Sequence, residues 1–108
     1  MSTARPVPAA TDTLPPDALR FCMQHGLMPG LREAVRLADV VWHPVGPMSI
    51  ELEADPETTD EWLVVMVPVA GSVEDVVRRE HEFTRQWIQA APFEEREKIR
   101  VLFDVVAP

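Results

Sequence analysis

The chain lacks tyrosine and asparagine, and its 108 residues include one cysteine and four glycines. With Cys22 alone, an internal disulfide is excluded. Cys22 and His25 stand as C-x-x-H, but no second soft pair exists to complete a zinc tetrahedron. Four glycines leave little from which to build a phosphate-cradling loop. None of G-x-x-x-x-G-K, G-x-G-x-x-G, G-x-S-x-G or H-E-x-x-H occurs. No apolar run approaches the roughly 20 residues that span a bilayer, so no membrane contact is expected. Arg5 is followed by no apolar stretch, so no secretory signal is expected either. Positive charge is scarce: 10 Lys+Arg against 18 Asp+Glu give a net charge of −8. Phosphate contacts need clustered basic side chains, so nucleic acid is not an expected partner. All the basic residues but Lys98 are arginine, which with the missing amino acids reads as the bias of a GC-rich bacterial coding sequence. The expected location is the cytoplasm.

The hydrophobic share of 46% is ordinary for a globular chain, and the length suits one core. Residues 1–13 (MSTARPVPAATDT) hold almost no large apolar side chain with which to offset ordering, and read as a disordered tail. Residues 14–108 read as a single α+β domain. Pro15 and Pro16 open a first helix with Leu19, Cys22 and Met23 on one face and Gly26 as its terminator. A second helix from near Pro29 carries the stripe Leu31, Ala34, Val35, Ala38, Val41 and Trp42, stopped by Pro44, Gly46 and Pro47.

From Met48 the apolar period becomes two. Met48, Ile50 and Leu52 alternate with Ser49, Glu51 and Glu53, which reads as a strand with one wet face. Asp55 to Asp60 is turn chemistry. Trp62 to Val69 is apolar throughout except for the imino Pro68, so that strand calls for burial on both faces, or for a partner on one. Ser72 and Asp75 resemble a capping box. A long amphipathic helix follows, its stripe set by Val73, Val76, Val77, Thr84, Trp87, Ile88 and Ala91. Glu74–Arg78, Asp75–Arg79 and Arg78–Glu82 are spaced as ion pairs. Pro92 opens a short charged turn through Lys98. Residues 99–106 fit either period, and their β-branched content favours a strand. The expected fold is α-α-β-β-α-β, a three-stranded, mostly antiparallel sheet with the long helix on one face.

Chemistry concentrates at the hairpin, where Glu51, Glu53, Asp55, Glu57, Asp60 and Glu61 place six carboxylates in eleven residues. Oxygen-rich clusters can hold hard cations, but the glycine and terminal glutamate of a calcium loop are missing. No metal and no cofactor is expected, and the plain alternative is a solvated strand face. His43 reads as a loop residue and His81 as a flank residue of the long helix. Glu80 projects from within that helix's apolar stripe, and a carboxylate there needs a partner or carries a raised pKa. No nucleophile motif stands beside it, so no catalytic residue is assigned.

The segments LPPDALRFCMQHGL (14–27), SIELEADPETTDEWLVVMVPVAGSVEDVV (49–77) and PFEEREKIRVLFDVV (92–106) resemble small uncharacterised bacterial proteins of planctomycetes and cyanobacteria. The most specific shared feature is the D-P-E-T-x-x-E-W-L-V hairpin, Asp55 to Val64. The resemblance implies an antitoxin-like or other partner protein from a two-gene locus, and it carries over no functional residue. The residues themselves lead to an interaction module that binds another, basic protein. Its expected binding set is the six carboxylates with Trp62, Val64 and Met66. Two rival readings are a homodimer using the same strand face or edge, and a small enzyme or ligand carrier using Glu80 and a histidine.

Overall fold

A computed structural model describes residues 14–106; the expected tail, 1–13, lies outside the described residues. The described residues form four helices and three strands in the order α1 (Pro16–Gln24), α2 (Met28–Trp42), β1 (Ser49–Ala54), β2 (Glu61–Val69), α3 (Val73–Ala90), α4 (Phe93–Lys98) and β3 (Ile99–Val105). The fold is α+β, and the final segment is the expected strand. The charged segment after Pro92 is a short helix and not only a turn.

The end of α1 shows how local sequence fixes a boundary. Gly26 has φ 63°, a conformation that costs glycine nothing. The Gly26 N–H donates to the Met23 carbonyl at 3.4 Å and the Leu27 N–H to the Cys22 carbonyl at 2.9 Å. This crossed pair satisfies carbonyls that a helix end leaves open. It also turns Leu27 into the core, where it is buried. The apolar face that α1 buries is Ala18, Phe21 and Cys22; Leu19 and Met23, expected on that face, are exposed. In α2 the expected stripe is buried almost as read, with Leu37 added and Val41 half-buried.

The sheet order is β1-β2-β3, with β2 in the centre. β1 and β2 form the expected antiparallel hairpin, Ile50 opposite Val65 and Glu53 opposite Trp62. β2 and β3 run parallel, Val65 opposite Val101 and Met66 opposite Leu102, so the sheet is mixed. A parallel neighbour needs a crossover, and α3 with α4 supplies it. Odd-numbered β2 residues, Leu63, Val65, Val67 and Val69, are fully buried in the core cluster. α2 lies against β2 and β3, α1 against β1, and α3 packs chiefly against α2. The long helix is thus an outer layer whose main support is another helix.

That arrangement moves the buried face of α3. Of the expected stripe Val76, Trp87 and Ala91 are buried, with Phe83 added, whereas Val73, Val77, Thr84 and Ile88 are exposed, Val73 by 74%. Phe83 stacks on Trp42 with ring centroids 4.8 Å apart, and Trp42 also meets Phe103 of β3 at 5.8 Å. The contact line runs to one side of the expected stripe, where Phe83 meets Trp42. The Ser72 hydroxyl accepts from the Asp75 N–H at 3.1 Å, as the capping box requires. Asp75 binds Arg79 at 2.9 Å as expected and also Arg78; Arg85 binds Glu82. Neither Glu74–Arg78 nor Arg78–Glu82 is among the ion pairs of the described residues. Arg78 is held instead by Asp75, one turn nearer the positive end of the helix dipole.

Gly71 joins β2 to α3 with φ 135°, a conformation that L side chains rarely adopt, and a Cβ there would stand 3.3 Å from Asp75 Oδ2. Gly71→Ala is expected to cost about 1–3 kcal/mol. In a thermal melt this is a drop of roughly 4–8 °C per kcal/mol. An unchanged melting temperature would show that the junction relaxes freely.

Candidate docking face of the sheet

The even-numbered residues of β2 point away from the helices. Trp62, Val64, Met66 and Pro68 share that face with Ser49, Glu51 and Glu53 of β1 and with Arg100, Leu102 and Asp104 of β3, by strand register. None of these belongs to the core cluster or packs against it. Trp62, Met66 and Pro68 are half-buried and Leu102 is 48% exposed. Val64 is the exception, buried at the centre between Glu51 and Arg100. The doubly apolar strand therefore has one face sealed by its own helices and one face partly open.

The open face has a graded chemistry. Its centre is apolar, its β1 side acidic, and on its β3 side Arg100 stacks over the Trp62 ring with Cζ 3.9 Å from the centroid. A guanidinium over an indole face is attracted by the ring quadrupole, and it holds the ring against the sheet. Ser49, Glu51, Glu53, Val64 and Met66 line a shallow depression of about 150 Å³. A second hollow of about 240 Å³ lies at the hairpin end, lined by Asp60, Glu61, Trp62, Glu97, Lys98 and Arg100.

The six expected carboxylates do not act as one group. Glu51 and Glu53 project from the face, and Asp60 and Glu61 reach the hairpin-end hollow. Asp55 is occupied by the turn itself: its Oδ1 accepts the Glu57 N–H at 2.8 Å, and its N–H donates to the Asp60 carbonyl at 2.9 Å. Glu57 is exposed on the turn. Among the described residues, no group of three or more His, Cys, Asp or Glu could hold a metal ion. Trp62, Val64 and Met66 share the face as the alternation implied. The sequence reading missed Arg100 and Leu102. Their signal was the same parity: taking 99, 101, 103 and 105 as the inward set leaves 100, 102 and 104 facing out beside β2.

The remaining chemical candidates are scattered. Glu80 is half-buried on α3 and lines neither hollow. His43, with φ 50°, ends α2, His81 is exposed, and the His25 ring tilts against Phe21 at 4.5 Å. Cys22 is buried, and burial pushes its thiol pKa up, against smaller opposing effects of the Leu27 backbone hydrogen bond and Arg32. Thiolate is the reactive form, so native Cys22 is expected to react with a disulfide reagent on the order of a hundredfold more slowly than in the unfolded chain. Equal rates in both states would contradict its burial. A folded-state pKa above the unfolded value gives a contribution that is intact below the unfolded thiol pKa and is lost as pH rises through the folded one, so this site favours unfolding only in alkali.

No protein-family model, curated protein or solved structure matches the chain.

Proposed function

We propose that the chain is a protein–protein interaction module that docks a basic partner protein on the open face of its sheet, in an antitoxin-like role. One observation carries the reading: the central strand, sealed on its helix side, keeps Trp62, Val64 and Met66 on a face outside the core, with Glu51 and Glu53 beside them. Apolar side chains at the centre of a face supply affinity once water leaves. Carboxylates at its border steer a positively charged partner and reject acidic ones. Arg100, on the β3 side of this face, stacks over the Trp62 ring.

The product of the adjacent gene is the probe. Co-expressed with it, the unaltered chain is expected to co-purify. Met66→Glu is expected to weaken the complex about tenfold or more, because it sets a charge where the contact is dry. Glu51→Lys/Glu53→Lys is expected to slow association, with the largest effect at low salt. A neighbour that ignores the unaltered chain, or binds both variants equally well, would overturn the reading.

A further inference from the structure

The outer edge of β3 has a feature that the docking role neither needs nor explains. β3 ends the sheet, and among the described residues it pairs with β2 alone. Its seven residues contain no proline or lysine, two usual devices that keep an edge from pairing further, and its two charges, Arg100 and Asp104, are of opposite sign. The Val106 N–H donates to the Val69 carbonyl, which fixes the parity of the strand. Even-numbered residues aim their backbone groups at β2. Ile99, Val101, Phe103 and Val105 therefore aim theirs outward, where among the described residues they pair with no other strand.

We infer that this edge joins two copies of the chain, β3 lying antiparallel to β3 of the second copy about a two-fold axis at Leu102. Three independent constraints meet in that register. Antiparallel bonds are exchanged between outward-aimed residues, and the axis at Leu102 sets Val101 against Phe103 of the second copy, both outward-aimed. The same register sets Arg100 against Asp104 of the second copy, and by symmetry sets Asp104 against Arg100, so each charge on the strand meets its opposite. Leu102, 48% exposed, and Val105, 46% exposed, are brought under cover. The opposite edge of the sheet is built against such a contact: pairing of β1 about Leu52 would set Glu51 against Glu53 twice. The result is a continuous six-stranded sheet whose two open faces lie side by side. The inference stands apart from the docking role, since it rests on the edge and not on the β1 side of the face.

The test is solution mass by light scattering across a concentration series, with the full chain. The unaltered protein is expected at twice 12.2 kDa. Asp104→Arg opposes like charges at two symmetric positions and is expected to weaken the dimer about tenfold or more. Adding Arg100→Glu to that variant restores the opposite pairing and is expected to recover most of the loss, which a merely structural role of either residue would not do. Leu102→Cys places two thiols across a non-hydrogen-bonded pair, about 4.5 Å apart at Cα, within disulfide reach. Mild oxidation is expected to cross-link that variant and not the unaltered chain, whose Cys22 is buried. A mass that stays at one chain at the highest concentration would overturn the inference. So would a dimer indifferent to Asp104→Arg, which would be using another surface.

Discussion

Trp42→Ala is expected to remove about 3–5 kcal/mol of stability, a large part of the roughly 5–15 kcal/mol available to a domain of this kind. The ring stands where three elements meet. It closes α2, stacks on Phe83 of α3 and tilts against Phe103 of β3, and it is 1% exposed. The carbonyl of the same residue accepts a hydrogen bond from Arg79 Nη1 at 3.3 Å, a second tie between α2 and α3. α3 has little other purchase, since it packs chiefly against α2. Truncation leaves a cavity that rigid neighbours on two sides cannot fill, so the cost exceeds the lost transfer energy. Trp42→Phe is the control. Among the described residues the indole Nε1 has no hydrogen-bond partner, and a buried N–H left so costs about 1–3 kcal/mol. Phenylalanine removes that cost while it keeps a ring on Phe83, so its net effect is expected to be under about 2 kcal/mol. Urea denaturation of both variants checks the pair. A Trp42→Ala midpoint close to that of the unaltered chain would mean that α3 is held by something other than this stack.

Val65→Asp is expected to abolish folding, and Met66→Asp, the next residue, to leave the fold intact. Val65 is fully buried between Ile50 and Val101 on the helix side of the sheet. A carboxylate there either loses its hydration or stays protonated at neutral pH, and either route costs several kcal/mol. Met66 is half-buried on the open face, where an aspartate side chain reaches water, and the expected change is within about 1 kcal/mol. Circular dichroism with a thermal melt separates the two. The contrast reads the register directly, because a slip of one residue would exchange the two faces and reverse the result. Two variants that both fold, or both fail, would refute the division of β2 into a sealed and an open side.

Much of this architecture was legible in the residues. The period-two run from Met48, the turn chemistry of Asp55 to Asp60 and the apolar stretch from Trp62 place the hairpin, because each pattern is local and each has one low-energy solution. Gly26, Ser72 and Pro92 mark helix ends for the same reason. The acidic hairpin was legible as composition, and its division into turn-forming Asp55 and projecting Glu51 and Glu53 was not. Side-chain hydrogen bonds within the turn decide that division, and they depend on geometry that composition does not carry. The stripe on α3 was right at Val76, Trp87 and Ala91 and wrong at Val73, Val77, Thr84 and Ile88, because an amphipathic pattern states which residues are apolar and not what stands opposite. Val73, Val77 and Ile88 fit one side of Val76 and Trp87 as well as Phe83, the missed residue, fits the other.

By itself the sequence determined the first two helices, the hairpin and the long helix of this protein, and the two-sided apolar character of its central strand. These follow from local periodicity, turn residues and composition. Only the tertiary structure decided that β3 runs parallel beside β2, that α2 and not α3 lies against the sheet, and that one side of β2 is left outside the core. Those outcomes depend on which distant surfaces meet. The free energy of such meetings is summed over many apolar contacts between segments far apart in the chain, and no short stretch of sequence encodes the sum.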